Sequence, residues 1–462
     1  MNTSRTLLAA RLAIASIPLT LVSVPAEAAL VAETAWVAQR GGSGIFLDLA
    51  LSPDGATAFA SGNSDGYAGL SAYSAADGTE LWRFQSQRPS SADAVAVSPD
   101  GRTVVLAGSV SSPRYGAQLW AFDTSDGRSL WAKRIAGSQP GREDAFVDVA
   151  FPNGNSSAVY ATGRISNEGN GTDLIAVSHA ARNGSLRWKH VVDLGPTGGS
   201  RRLTVDEAGL AIDFAPNGSS VYVAGYGNSV GRDPYGQAMT VALRASDGAR
   251  RWLAGSGGNV GSRRDPLRSQ ATDIEVDASG VFLGEWRGET FAGGTTPMSR
   301  LRHSNGSSIW RREGTAEEPP ILDDLLLRDG ALYAAGGQNA EFKLWSLGSA
   351  AGERRWVTDI QTGSIRDLDV VPDGSLLLGT GGYRIANDSF MSLVAVDPGT
   401  GEILWRHGHS PTGAADPSAH GQAMAVTPDG SRVVIAGVID GAPAVIAVDL
   451  PDGTLASVPV VD

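Results

Sequence analysis

The segment Thr400-Gly401-Glu402-Ile403-Leu404-Trp405 ends on a tryptophan four residues after a glycine, and this spacing decides the fold. The same Gly-x-x-x-Trp phrase recurs six times, ending at Trp82, Trp131, Trp188, Trp252, Trp310 and Trp356. Successive tryptophans lie 46 to 64 residues apart. This interval is typical of one four-stranded propeller blade rather than of a helical hairpin. The repeat therefore predicts a single ring of blades.

Each repeat contains four apolar segments separated by turns or loops. In the second repeat, the segments are DAVAVSPDG, TVVLAG, AQLWAFDTSDG and SLWAKRI, between residues 93 and 135. Apolar runs that close on Gly-bearing turns are typical of antiparallel strands. The first segment occurs eight times. We therefore expect an all-β fold, a single eight-bladed β-propeller of four-stranded antiparallel blades over residues 45–462.

The last repeat lacks its tryptophan. It keeps the turn Asp452-Gly453 but has Ser457 at the position of the tryptophan, which predicts a weak outer strand. A strand-like piece around Trp36, within residues 29–44, resembles the missing segment. We expect this N-terminal strand to pair with the final blade and close the ring, because closure leaves no sheet edge open.

The residues from Ala395 to Trp405 resemble the tryptophan-docking motif AxDxxTGxxxW of the PQQ-like, or quinoprotein alcohol dehydrogenase-like, β-propeller repeat family. Ala121 to Trp131 is nearly as close, with Asp126 in the place of the threonine. The resemblance covers Ile45 to Asp462 and implies a repeat protein of WD40/YVTN-like architecture. In this family the tryptophan packs on the turn of a neighbouring blade. The seven tryptophans are therefore expected to be structural docking residues.

The N-terminus predicts export. Arg5 and Arg11 lie near the start of an apolar stretch that reaches Val24, and Ala26-Glu27-Ala28 has the small-x-small pattern of a cleavage site. We expect residues 1–28 to be an export signal peptide, and the mature bacterial protein to be secreted or periplasmic. Because no later segment has the roughly 20 apolar residues that span a bilayer, membrane insertion is not expected. We expect a monomer.

Composition narrows the partners and cofactors. The net charge of −12 disfavours nucleic acid as a partner. The chain has no cysteine, so it has no disulfide, thiolate metal site, thioether haem or acylated cysteine. Redox members of the resembled family carry a vicinal cysteine pair and often a haem, and a similar lipoprotein of the outer-membrane assembly complex is tethered through its cysteine. No cofactor is therefore expected, neither PQQ nor haem c.

Basic residues cluster in three long connections of the middle repeats. Connections after the second and fourth strands vary in length, so the face that carries them is expected to hold any site. The candidate ligand-binding residues are Arg201, Arg202, Arg232, Tyr235, Arg263, Arg264 and Arg268. Arginines can grip carboxylate or sulfate groups bidentately, as an acidic protein or an anionic glycan would require. Solvated loop arginines without a ligand are the alternative.

A second candidate set lies in the seventh and eighth repeats. His407, His409 and His420, with Asp416, have a spacing that a divalent metal could use. Exposed loop histidines are the alternative, and no metal is expected. Tyr383 and Arg384 with one of these histidines could catalyse β-elimination from a uronate, in which a cation neutralises the carboxylate and His or Tyr moves protons.

Two functions remain from the sequence. The first is an exported, non-catalytic propeller that binds or scaffolds a protein or glycan partner. The second is an extracellular enzyme, a polysaccharide lyase or hydrolase, that acts on an anionic substrate at the long-loop face. No serine-nucleophile, metalloprotease or phosphate-loop motif is present in the sequence. The absence of such motifs favours the binding protein, and if the chain is an enzyme, a lyase or hydrolase is favoured over a quinoprotein dehydrogenase.

Overall fold

The computed structural model describes residues 32–451, with gaps at 112–114, 140–143, 168–170, 195–205, 229–235, 256–267, 289–293, 316, 319–320, 339–340, 362, 386–387 and 410–417. The expected signal peptide, the turn Asp452-Gly453 and Ser457 lie outside the described residues. Within the described part, no helix is long and apolar enough to cross a bilayer.

The first four blades follow one another along the chain. Blade 1 contains β2 (Gly44–Leu51), β3 (Thr57–Ser64), β4 (Tyr67–Ser74) and β5 (Glu80–Gln85). Blade 2 contains β6 (Ser90–Val97), β7 (Thr103–Val110), β8 (Gly116–Asp123) and β9 (Ser129–Ile135). Blade 3 contains β10 (Ala145–Ala150), β11 (Ala158–Asn167), β12 (Gly171–Ala180) and β13 (Leu186–Val192). Blade 4 contains β14 (Ala208–Phe214), β15 (Ser220–Asn228), β16 (Gly236–Arg244) and β17 (Arg250–Gly255).

The remaining blades keep this order with two local changes. Blade 5 contains β18 (Arg268–Asp277), β19 (Gly280–Gly288), β21 (Met298–Leu301) and β22 (Ser308–Arg312), and the short β20 (Gly294–Thr295) also pairs with β19. Blade 6 contains β23 (Asp324–Arg328), β24 (Ala331–Gln338), β25 (Glu341–Gly348) and β26 (Arg354–Gln361). Blade 7 contains β27 (Gly363–Val370), β28 (Leu377–Ile385), β29 (Asp388–Val396) and β30 (Ile403–His409). Blade 8 contains β31 (Ala419–Val426), β32 (Arg432–Ile439), β33 (Ala442–Asp449) and β1 (Glu33–Gln39).

The N-terminal strand closes the ring, as predicted. β1 pairs antiparallel with β33, and Trp36 lies opposite Ala447. The outer strand of blade 8 therefore comes from the start of the chain and brings a tryptophan with it. The eight-bladed antiparallel propeller predicted from the repeat is confirmed, and the extra strand β20 in blade 5 is the departure from four strands.

Seven docking rings in the described part of the chain lie on the glycine of the next blade. A Cβ added to Gly127 would lie 2.5 Å from the ring of Trp82, and one added to Gly78 would lie 2.5 Å from Trp36. All seven indoles also donate their N–H to the main-chain carbonyl three residues before that glycine, with N···O distances of 2.6–3.1 Å; the rings are Trp36, Trp82, Trp131, Trp188, Trp252, Trp310 and Trp356. Only glycine leaves room for this contact.

The core is divided among the interfaces between blades. One cluster, for example, joins Val105 and Leu119 of blade 2 to Phe146, Val159 and Ile175 of blade 3. Every β-strand presents alternate side chains to its two neighbouring blades. Strands buried on both faces therefore have nearly continuous apolar sequences, as in β7.

The first strands of the eight blades contact one another around the central axis. Since the blades are antiparallel, connections after the first and third strands emerge at one end of the ring, which we call the turn end; Asp54 and Asp77 lie there. Connections after the second and fourth strands emerge at the other end, the loop end, where Gln87 and Ser418 lie.

Candidate functional site

Carboxyl side chains are concentrated on the innermost strands, around the central axis. Besides Asp93 in β6 and Asp277 at the end of β18, eight of them lie on six of the eight innermost strands: Asp48, Asp148, Asp213, Asp273, Glu275, Asp324, Asp367 and Asp369. Protein surrounds each group, yet part of each side chain stays accessible to solvent. The innermost strands together form a wall around the central axis, which we call the central wall. Three of these strands, in blades 5, 6 and 7, carry five of the eight groups, so one side of the central wall is more acidic than the other.

Six of these carboxyl groups accept a main-chain N–H from the innermost strand of the next blade. The N···O distances are Asp48–Val95 2.7 Å, Asp148–Ile212 2.8 Å, Asp273–Leu325 2.9 Å, Asp324–Leu368 2.8 Å, Asp367–Met424 2.5 Å and Asp369–Val426 2.9 Å. The amides of Val276 and Leu327 act on Asp213 and Glu275 electrostatically, but they are not in hydrogen-bonding geometry. We call the six hydrogen-bonded contacts carboxyl clasps.

The carboxyl clasps provide acceptors for main-chain N–H groups that the propeller leaves without a strand partner. The innermost strand is a sheet edge, so some of its N–H groups have no strand partner. A buried N–H without an acceptor costs free energy, and a carboxyl oxygen supplies the acceptor. In Asp48, one oxygen accepts from Val95 across the interface and the other accepts from the adjacent Leu49 at 2.7 Å. The side chain thus links two blades.

Burial and mutual repulsion keep these groups from ionising fully. Burial raises the pKa of Asp48 and Asp213 to about 7, and that of Asp367 to about 8. Burial, followed by repulsion from neighbouring carboxylates, raises the pKa of Glu275 and Asp324 well above the ordinary value. Asp324 also shares a side-chain hydrogen bond with Asp273. At neutral pH the wall therefore holds a mixture of protonated and ionised groups.

Sequence reasoning missed these carboxyl groups. The signal was an acidic residue at one recurring phase of an otherwise apolar strand, as in Phe46-Leu47-Asp48-Leu49 and Phe146-Val147-Asp148-Val149. In both strands the pairing register shifts immediately before the aspartate, at a β-bulge. The bulge directs the aspartate toward the next blade, and a bulge has no simple sequence signature.

The predicted arginine set falls mostly outside the described residues. This applies to Arg201, Arg202, Arg232, Tyr235, Arg263 and Arg264. Arg268 is the first residue of β18, and only its backbone is described. The strands that flank these connections end at the loop end of blades 3, 4 and 5.

The histidine set is divided between two strands. His407 and His409 share one face of β30, and the His407 ring contacts the hydroxyl of Thr34 in β1 at 2.8 Å. His420 is the second residue of β31, the innermost strand of blade 8, and its ring packs against Gly382. Burial lowers the pKa of all three histidines, that of His420 to about 4. Asp416 lies outside the described residues.

Tyr383 points away from these histidines. Its neighbour Gly382 faces His420 of blade 8, and consecutive strand residues face opposite sides of a sheet. Tyr383 accordingly covers Gly408 on the other side of blade 7 and stacks on Phe390, with ring centroids 4.8 Å apart. Only the backbone of Arg384 is described. The described geometry therefore separates Tyr383 from the three histidines by the thickness of blade 7.

Comparisons with known proteins agree with the fold. The family model described as outer membrane protein assembly factor BamB matches residues 31–265, slightly more than half of the chain. No curated protein matches the chain. Similar solved structures include BamB from Moraxella catarrhalis (14% identity, TM-score 0.55, covering 91% of this chain and 100% of that one).

Two further solved structures share this fold. Sqt1 of Saccharomyces cerevisiae is 11% identical, with a TM-score of 0.60, and covers 91% of this chain and 100% of its own. The quinohemoprotein alcohol dehydrogenase of Comamonas testosteroni is 13% identical, with a TM-score of 0.57, and the match covers 90% of this chain and 76% of that one. At these identities the likeness is one of fold.

Proposed function

Because the chain belongs to the family described as outer membrane protein assembly factor BamB, we propose that it is an exported, non-catalytic scaffold that holds a protein partner. Family membership is the observation that carries the proposal. The basic and apolar N-terminal segment, from Arg5 to Val24, supports export. A rigid ring suits this role, because a surface that changes little on binding loses little conformational entropy.

The loop end is the proposed docking surface. Turns at the other end repeat from blade to blade, whereas the connections at the loop end differ in length and sequence. Variation on a rigid scaffold is where binding residues usually lie. Three of these connections carry Arg201, Arg202, Arg232, Tyr235, Arg263 and Arg264, and β18 starts with Arg268. A carboxylate-rich protein segment is the partner that these arginines would recognise.

Site-specific photo-cross-linking in cells tests the docking surface. A photoreactive residue is introduced at Gln87 or Ser418 of the loop end, and at Asp77 or Asp126 of the turn end; all four side chains are exposed. We expect one partner protein to cross-link from the loop-end positions alone. Cross-links from the turn end alone, or from neither end, would contradict the proposed surface.

Charge reversal tests the arginines. Changing Arg201, Arg202, Arg263 and Arg264 together to Glu should abolish the loop-end cross-link. The matched control reverses the same number of charges at the turn end, at Arg102, Arg128, Arg182 and Arg250, and should leave it intact. Retention of the cross-link in the loop-end variant would remove these arginines from the interface. Binding of the purified chain to a uronate polymer, lost in the same variant, would instead identify an anionic glycan as the ligand.

A further inference from the structure

An acidic cluster at the loop end, between blades 3 and 4, is built differently from the carboxyl clasps. It contains Asp173 in β12, Asp193 just after β13, and Glu207 just before β14. One carboxylate oxygen from each residue lies within 4.8 Å of the other two. Three ligand atoms at such separations can all contact one cation, because a calcium–oxygen bond measures about 2.3–2.6 Å.

The strands hold the three side chains together. Leu174 and Val192 are paired across β12 and β13, which brings the adjacent Asp173 and Asp193 alongside each other. Glu207 is fixed to β12 by main-chain and side-chain bonds to Thr172: its N–H donates to the Thr172 carbonyl at 2.6 Å, and the Thr172 hydroxyl donates to the Glu207 carbonyl at 3.1 Å. The cluster is therefore positioned by the blades themselves.

Two of the three carboxylates are buried without the hydrogen bonds that burial normally requires. Glu207 is 0% exposed and Asp173 is 1% exposed. Apart from the contact between the carboxyl groups of Asp173 and Glu207 themselves, neither carboxylate oxygen of Glu207 has a hydrogen-bond partner, and Asp173 has one only at the oxygen that accepts from Asn167. The amide of Leu194 acts on Glu207 electrostatically, but it is not in hydrogen-bonding geometry. A buried polar group without a partner is costly.

Other buried carboxylates in the described part of the chain do have donors. Glu285 is 0% exposed and accepts two hydrogen bonds from Arg311, at 2.8 and 3.1 Å. Glu318 accepts from Arg312 at 2.6 Å, and Asp144 accepts from the Ser166 amide at 2.6 Å. Glu207 differs from these three, since its nearest charged groups are two further carboxylates and Asp206.

We propose that Asp173, Asp193 and Glu207 bind a divalent cation, and that this cation is Ca²⁺. All three ligands are hard carboxylate oxygens, which suit Ca²⁺ or Mg²⁺ rather than the nitrogen and sulfur ligands of zinc. Ca²⁺ accepts irregular oxygen geometry, whereas Mg²⁺ requires a near-octahedral site. The cation would join blade 3 to the entrance of blade 4 and tie together the two ends of the connection that carries Arg201 and Arg202.

Calorimetry on the full-length chain, stripped with a chelator and dialysed, tests the site. Titration with CaCl₂ should give saturable binding of one ion, and Ca²⁺ should raise Tm by several degrees through mass action. MgCl₂ should bind more weakly. Tighter binding of Mg²⁺ than of Ca²⁺ would overturn the choice of ion, and no binding of either would overturn the site. In that case a proton shared between Glu207 and Asp173 would explain the cluster.

Substitutions at Glu207 and Asp173 test whether Ca²⁺ binds at this cluster. Glu207→Gln and Asp173→Asn should each lose measurable Ca²⁺ binding and the Ca²⁺-dependent rise in Tm. Glu207→Gln should remain folded, because a neutral amide removes repulsion between buried carboxylates; circular dichroism checks this. Asp126→Asn, at an exposed turn-end position, is the control and should bind Ca²⁺ like the parent. Unchanged binding in Glu207→Gln, with loss in Asp367→Asn instead, would move the ion to the central wall and overturn the assignment.

Discussion

At the scale of residues, the unit of this fold is the pair of an indole ring and the glycine beneath it. Gly127 has a φ of +69°, a region that side-chain-bearing residues rarely adopt. It also lies beneath Trp82, whose N–H donates to the Thr124 carbonyl at 2.8 Å. Glycine is thus required twice, once by its backbone angle and once by the ring that covers it. The pair fixes both the turn and the distance between two blades.

These two requirements can be separated by mutation. Gly154 has the same φ of +69°, but a Cβ added there would meet no atom within 4 Å. Gly154→Ala should therefore cost only the backbone strain, about 1 kcal/mol. Gly127→Ala should cost this strain plus about 1–3 kcal/mol from overpacking against Trp82. Urea unfolding measures both values, and equal costs for the two substitutions would show that the ring does not depend on the glycine.

At the scale of elements, β1 is the strand on which closure depends. It gives blade 8 its outer strand and gives Gly78 of blade 1 its covering ring, so one strand completes two contacts. Trp36 donates its indole N–H to the Ala75 carbonyl at 3.1 Å, as the rings inside the repeats do to their own acceptors. Arg432 of blade 8 reinforces the same junction, because its guanidinium donates to the carbonyls of Ala75 and Ala76.

Truncation of the closing ring should therefore destabilise the whole chain. Trp36→Ala should lower the free energy of unfolding by about 3 kcal/mol, at the lower end of the range for a buried aromatic side chain, because the ring is partly exposed. Its neighbour Val37 is 44% exposed, so Val37→Ala should have little effect and serves as the control. Chemical denaturation measures both variants. A Trp36→Ala protein as stable as Val37→Ala would mean that β1 is not needed for closure.

Elements were predictable from the sequence where a short phrase repeats. The glycine and tryptophan of Gly401–Trp405 are adjacent in the chain and recur at blade intervals, so their spacing reveals the ring. Trp36 has no such glycine before it, and it was predictable because its segment resembles the tryptophan-bearing strand that the last repeat lacks. The clasps were not, since Asp48 acts on Val95 of another blade through a bulge that local pattern does not specify. The cluster at Asp173, Asp193 and Glu207 was missed because its members come from three separate elements.

At the scale of the whole molecule, the carboxyl clasps make the stability of the central wall depend on pH. A carboxyl group whose pKa is raised in the folded protein holds a proton that the unfolded chain releases at lower pH. Its contribution to stability is complete below pH about 4, the pKa range of a free carboxyl group, and is lost as the pH rises through the folded pKa. For Asp48 and Asp367 the folded values are about 7 and about 8. The protein should therefore lose stability between pH 5 and pH 9.

Asp367→Asn should flatten this dependence. The asparagine keeps one acceptor oxygen but loses the other, which costs about 1 kcal/mol at pH 5. It cannot ionise, so the deficit relative to the parent should shrink or reverse by pH 9. Asp429→Asn is the control: hydrogen bonds from Thr427 and Ser431 lower the pKa of Asp429 to about 2, so its contribution is constant above pH 5. Tm measured from pH 5 to pH 9 decides the matter, because an Asp367→Asn curve parallel to the parent curve would show that this clasp does not titrate in that range.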